Sequence, residues 1–138
     1  MRVFFDTNIV LDQLDDRRDG HAGVVELEKC LNRHKAVVIC SWHTLSIVEF
    51  VGAKAFGKTQ IHSALRHLLK EYLVPETGSR HALEAFTFLH NDFEDALQIS
   101  AAIAGGADYI VTNDKSGFKR SPVPVVTTDE LVGVLEMR

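Results

Sequence analysis

The chain has 138 residues, 46% of them hydrophobic and 25% charged, the make-up of one globular domain spanning 1–138 with a core of its own. Its apolar runs fall far short of the ~20 residues that a membrane span needs. Met1-Arg2 leads straight into a strand-like run with no signal-peptide core, so a cytoplasmic location without membrane association is expected. The formal net charge of −4 does not advertise nucleic-acid binding, yet does not exclude it, since an acidic metal site would itself lower the total.

Val3-Phe4-Phe5 is a short, bulky run suited to a buried parallel strand. Thr7 or Asn8 can cap a short helix carrying Ile9, Val10 and Leu14, and Asp15 to Gly20 is a polar loop. Val24, Val25, Leu27, Cys30 and Leu31 give a helix over about 21–34, and Ala36 to Cys40 a second strand. Ser41 can cap a helix holding Leu45, Val48, Glu49 and Gly52. Ile61, Leu65, Leu68, Leu69 and Tyr72 form an amphipathic helix. Leu73-Val74-Pro75 is a short third strand in this reading. Ala82 to Leu89 continue as helix. Asn91 or Asp92 opens another that stops at Gly105-Gly106. Tyr109 to Thr112 and Val123 to Val126 are the last strands, and Thr127-Thr128-Asp129-Glu130 has the spacing of a capping box before a final helix. Strands alternating with helices imply a parallel sheet covered on both faces, which binds ligands beyond the carboxyl ends of its strands.

Four acids stand at the ends of these segments: Asp6, Glu49, Asp95 and Asp114. Carboxylates gathered at one edge repel, by on the order of 4 kcal/mol for a pair at ~4 Å and an effective dielectric of 20. Such a cluster implies a shared proton or a bound cation. Mg2+ takes oxygen ligands, keeps waters and meets substrate phosphates, so the pattern points to metal-assisted phosphodiester chemistry. Each acid also has a plain explanation. Asp6 could cap a helix, Asp114 could be a turn residue, and Glu49 could lie on a polar stripe. Asp92 is the natural N-cap with Asp95 in the first turn, where the helix dipole favours it, and Glu94 should point away into solvent. His43 reads as an ordinary surface histidine. Lys115, Lys119 and Arg120 follow Asp114, and Lys54 and Lys58 follow Glu49; either group could touch phosphates or simply be solvated. The seven histidines show no HxH or HExxH spacing, which argues against zinc. Cys30 and Cys40 read as reduced core thiols.

The chain resembles a PIN domain, the ribonuclease fold shared by the VapC toxins of bacterial and archaeal toxin–antitoxin pairs. The opening Val3-Phe4-Phe5-Asp6-Thr7-Asn8-Ile9-Val10 is similar to the family's first strand with its Asp-Thr/Ser-Asn start. Ser41 followed by Glu49 resembles the segment that supplies the second acid. Asp92-Phe93-Glu94-Asp95-Ala96-Leu97 is close to the Asp-Phe-x-Asp-Ala block, and Ile110 to Phe118 resembles the last acidic block. In that block many members carry a further Asp just before the Phe, where this chain has Gly117. The resemblance implies a three-layer α/β/α sandwich with a central parallel sheet of four to five strands. It implies catalytic Asp6, Glu49, Asp95 and Asp114, with Mg2+ or Mn2+ held by Asp6, Asp95 and Asp114. Asn8, Thr112, Lys115 and Lys119 would be substrate-binding. It further implies RNA as substrate, a small antitoxin that occludes the site, and a homodimer.

Two other classes are weighed beside it. A haloacid-dehalogenase-type phosphatase would also place Asp6 after a first strand, but needs a second Asp two residues on, where this chain has Asn8. A catalytically silent PIN-like module that binds RNA or protein would need none of the acids. A G-x-x-x-x-G-K-[ST] phosphate loop is absent, which argues against an NTPase.

Overall fold

A computed structural model describes residues 1–137. Four strands, β1 (Arg2–Phe5), β2 (Val37–Ile39), β3 (Tyr109–Val111) and β4 (Val125–Val126), form one parallel sheet in the order β2-β1-β3-β4. Seven helices connect and cover them: α1 (Thr7–Leu14), α2 (His21–Arg33), α3 (Trp42–Phe56), α4 (Lys58–Glu71), α5 (Ser79–Ala85), α6 (Phe93–Ala104) and α7 (Thr128–Glu136). Successive strand residues point to opposite faces, and β1 is buried on both. Val3 and Phe5 pack with Val111 and Val126 against Val10, Leu27, Leu31, Leu68 and Leu135 from α1, α2, α4 and α7. Phe4 packs with Ile39 and Ile110 against Ile99 and Ala102 of α6 and against Phe118. These two cores on opposite faces of one sheet make the three layers expected from the sequence. Each fully buried Phe or Ile contributes roughly 1.5–3 kcal/mol through burial alone.

The expected strand at Leu73 to Pro75 shrinks to a single parallel bridge between Ile39 and Leu73. Leu73 donates to the Val38 carbonyl at 2.9 Å and accepts from the Cys40 amide at 3.1 Å. Pro75, without an N–H, cannot extend the ladder. The helix expected over 82–89 ends at Ala85, and Phe86–Phe88 form a single 3-10 turn. Other local expectations hold. Ser41 accepts from the Thr44 amide, Asp92 from the Glu94 amide, and Thr127 and Glu130 form the capping box. Gly106, at φ 69°, ends α6 in a conformation that favours glycine.

The chain leaves β1 for β2 on one side and later returns to β3 on the other. The carboxyl ends of β1 and β3 therefore flank the point where the winding reverses, which is where such sheets form a crevice.

Candidate active site

Asp6 directly follows β1, and its amide donates to the Val111 carbonyl at 3.1 Å, tying it to the end of β3. Only 5% of it is exposed. It stands at the N-cap position of α1 but makes no side-chain cap. Its carboxylate turns instead into the crevice, where Oδ1 accepts from Gln98 Nε2 at 3.1 Å and Oδ2 from the Thr112 hydroxyl at 2.8 Å. Neither Thr7 nor Asn8 caps the helix as the sequence suggested. The Thr7 amide donates to Gln98 Oε1 at 3.0 Å, so one orphan donor of the first turn is satisfied from α6. Burial pushes the Asp6 carboxyl above the usual range. The bonds from Thr112 and Gln98 pull it back in part, and the charge of Glu94 pushes it up again.

The other acids come from α6 and from the loop after β3. Glu94 and Gln98 stand one turn apart on α6, so they share a face. Gln98 donates to Glu94 as well as to Asp6, and His43 Nε2 lies 3.1 Å from Glu94 Oε2. Asp95, in the same first turn, has its carboxyl pushed up to about 7 by burial first, then by Glu94, Asp6, Asp92 and Asp114 in that order. Asp114 is exposed and caps the 3-10 turn Lys115–Phe118 through Ser116, whose bonds hold its carboxyl below the usual range. The Asp114 amide donates to the Thr112 hydroxyl at 3.1 Å, which links the exposed acid to the buried one. A Cβ at Gly117 would overlap Asp95 Oδ2. A larger residue there would have to turn the Asp95 carboxylate out of this space.

Among the described residues, Asp6, Asp95 and Asp114 have no Lys or Arg ion-pair partner. The only three donors among the described residues that lie within 4.8 Å of one another are Glu26, Cys30 and Glu136, on α2 and α7 away from this edge. Glu26 and Glu136 are solvated surface acids, and Cys30 is a buried thiol that receives Arg33. The crevice acids are thus a loosely spaced set of hard oxygen donors, of which Glu94 faces His43 and the three aspartates have no Lys or Arg partner among the described residues. That donor set fits Mg2+ or Mn2+, which use few carboxylates and keep several waters.

Of the residues expected from the sequence, Asp6 and Asp114 lie near enough to Asp95 for their charges to raise its carboxyl, although no three of these carboxylates bring oxygens within 4.8 Å of one another. Glu49 does not join them. Its Oε2 faces His62 Nε2 of α4 at 3.5 Å, and it is not among the charges that perturb Asp6 or Asp95. The reason is helical phase. Thr44 points at α1, bonding the Thr7 hydroxyl at 2.8 Å, and five residues on at about 100° per residue Glu49 lies roughly 140° around the helix. The acid that does join the cluster is Glu94, which the sequence placed in solvent. His43, read as a surface residue, is its partner.

The expected substrate contacts also change. Thr112 is fully buried and its hydroxyl bonds Asp6 and Asp114, so it positions the acids. Lys115 pairs with Glu130 at 2.7 Å. Asn8 is exposed, and its Oδ1 lies 3.4 Å from Arg18. Lys54 stacks on Phe50, 4.1 Å from the ring centre. Lys119 and Arg120 are exposed beyond the Asp114 loop. Gln98 was missed altogether. Its signal was a lone amide in the Ala/Leu/Ile-rich run of α6, one turn beyond Glu94.

A family model described as PIN domain matches residues 2–116. The chain is 28% identical over 134 residues to Ribonuclease VapC1 of Aquifex aeolicus (strain VF5), covering 94% of this chain and 92% of that protein. Among solved structures it is similar to VapBC2 from Rickettsia felis bound to a DNA fragment from their promoter. The TM-score is 0.69 with 23% identity, over 92% of this chain and 98% of that one. It is also similar to a toxin–antitoxin complex from Klebsiella pneumoniae, with TM-score 0.68 and 22% identity over 91% and 97% of the two chains. With the α/β/α sandwich and the acids at the reversal of its sheet, the match over most of the length places this chain in the PIN-domain family.

Proposed function

We propose that this protein is a metal-dependent endoribonuclease and the toxin of a toxin–antitoxin pair. The observation that carries the chemistry is the set of aspartates at the reversal point without a Lys or Arg partner among the described residues, where Asp95 is pushed up to about 7 by burial and its acidic neighbours. A charge cluster of this kind costs stability unless a cation offsets it. Similarity to Ribonuclease VapC1 supports RNA as the substrate, and similarity to the Klebsiella complex supports an antitoxin partner. A homodimer is the expected assembly, for which Leu83 and Phe86, exposed on and just after α5, provide apolar surface.

Asp6, Asp95 and Asp114 would hold Mg2+ or Mn2+, with Glu94 completing the set in place of Glu49. The bound cation supplies an activated water near neutral pH and charge stabilisation at the phosphate. The protein's own residues do the positioning. Gln98 and Thr112 fix both oxygens of Asp6 with neutral donors, leaving a lone pair on each free. Thr112 also fixes the Asp114 loop, and His43 orients Glu94. Lys119, exposed next to that loop, provides a charge for a substrate phosphate.

The test is incubation of the purified protein with single-stranded and structured RNAs in Mg2+, Mn2+ or EDTA. Cleavage that requires metal is the expected result. No cleavage in any metal by the folded protein would favour a PIN-like module that only binds.

A further inference from the structure

Beside the acids lies a groove of about 160 Å³ whose walls include Trp42, His43, Thr77, His81 and Leu97. Trp42 opens α3 and is 72% exposed, unusual for the largest apolar side chain. The next residue, His43, reaches into the site through Glu94. The groove is therefore one residue away from the cluster that would hold a phosphate. Its wall is kept in shape by the Ser100 hydroxyl, which donates to the His81 carbonyl at 2.8 Å and clamps α5 to α6. The Gly78 amide donates to His81 Nδ1 at 3.1 Å, fixing the imidazole. The Arg80 guanidinium lies 3.3 Å from His81 Nε2, so a cation stands at the same end.

We propose that this groove is a nucleobase subsite, in which an unpaired base of the RNA stacks on Trp42 while the neighbouring phosphate lies at the acids. The proposal rests on the ribonuclease reading above. Three features select a base over other occupants. An exposed indole is a stacking platform for any base. Thr77 offers polar atoms to a base edge beside the apolar Leu97 and Ala101. Arg80 supplies the positive charge that the acids themselves lack and that a flanking phosphate needs. Stacking on Trp42 would also require the base to leave a duplex, so the subsite selects single-stranded or looped RNA.

Trp42 is the only tryptophan in the chain, so intrinsic fluorescence reports on this groove alone. The Asp6→Asn protein, which holds but does not cut RNA under the reading above, is titrated with a short single-stranded oligoribonucleotide. An abasic ribose-phosphate oligomer of the same length is the control. The expected result is saturable quenching by the first and little by the second. In wild-type background, Trp42→Ala should raise KM for cleavage about tenfold with kcat within about twofold, and Trp42→Phe should recover most of the loss. Circular dichroism establishes that each variant is folded. Equal quenching by the abasic oligomer, or no quenching by either, overturns the subsite. So does a blue shift that grows with protein concentration without RNA, which would assign the face to a second copy of the chain. Failure of the nuclease reading looks different: base-dependent quenching persists, but wild type cuts no RNA in any metal.

Discussion

Replacing Asp6 by Asn separates what the carboxylate does for the fold from what it does for chemistry. Asn is nearly the same size, and the site can satisfy it. Its Oδ1 would accept from Gln98, and its Nδ2 would donate to the Thr112 oxygen. The Thr112 hydroxyl can then turn its proton to the Asp114 carbonyl, already at 3.1 Å. Only the second Nδ2 proton lacks a named protein partner, and it faces the crevice, so the cost of about 1–3 kcal/mol for a buried unsatisfied group is largely avoided. The charge, by contrast, disappears. Asp95 is pushed from 3.8 to about 7, and because the group is partly solvated only a fraction of that shift reaches stability. Asp6 is the third of its causes, after burial and Glu94, so removing its charge relieves part of the repulsion on Asp95. Asp6→Asn is therefore expected to stabilise the metal-free protein at pH 8 by at most about 1 kcal/mol, the upper range for a partly exposed charge interaction, a rise in melting midpoint of up to roughly 3–5 °C for a chain of this size. Thermal unfolding in EDTA measures this. The same variant should gain nothing from added Mg2+, where wild type should gain, and its RNA cleavage should fall by at least about 100-fold. A drop of several degrees in EDTA would refute the reasoning, since it would make Asp6 a structural group. Cleavage at the wild-type rate would refute the site.

The titration of Asp95 sets a pH dependence. Its folded value is raised above the unfolded 3.8, so between about pH 4 and 7 the native state binds the extra proton. Stability of the metal-free protein should thus fall as pH rises through that window, and Asp95→Asn should flatten the fall in unfolding curves recorded across it. Metal competes for the same oxygens, so apparent Mg2+ affinity by calorimetry should weaken below about pH 7, approaching tenfold per unit. Glu94→Gln should cost at least about tenfold in cleavage, while Glu49→Gln should stay within about twofold; the opposite order in a cleavage assay would restore the α3 acid to the site. Gly117→Ala should push Asp95 aside and lower both Mg2+ affinity and cleavage by about tenfold, with the overall fold retained by circular dichroism.

The layered architecture was legible in the sequence because it rests on local signals. Bulky runs such as Val3-Phe4-Phe5 mark strands buried on both faces, and caps at Ser41, Asp92 and Thr127 mark helix starts. Asp6 and Asp114 were legible for a related reason: each follows a strand end, and strand ends define one edge. Leu73 was overread, since an apolar triplet ending in proline looks like a strand while its backbone makes only one bridge. The choice between Glu49 and Glu94 was not legible. It depends on how far α3 and α6 are rotated about their axes, which tertiary contacts such as Thr44 with Thr7 decide. Gln98 stayed hidden because a buried amide matters only through partners far away in sequence, at Asp6 and Thr7.

The overlap between Gly117 and Asp95 carries a consequence for how this edge can change. A side chain at 117 would need the space that Asp95 Oδ2 fills, so Asp95 would have to turn aside to admit it. Substitution at either is therefore conditional on the other. A larger residue at 117 becomes tolerable once 95 is small, and a carboxylate can reach the same spot from either wall. Positions 95 and 117 are coupled in this way: a change at one is felt through the rotamer of the other.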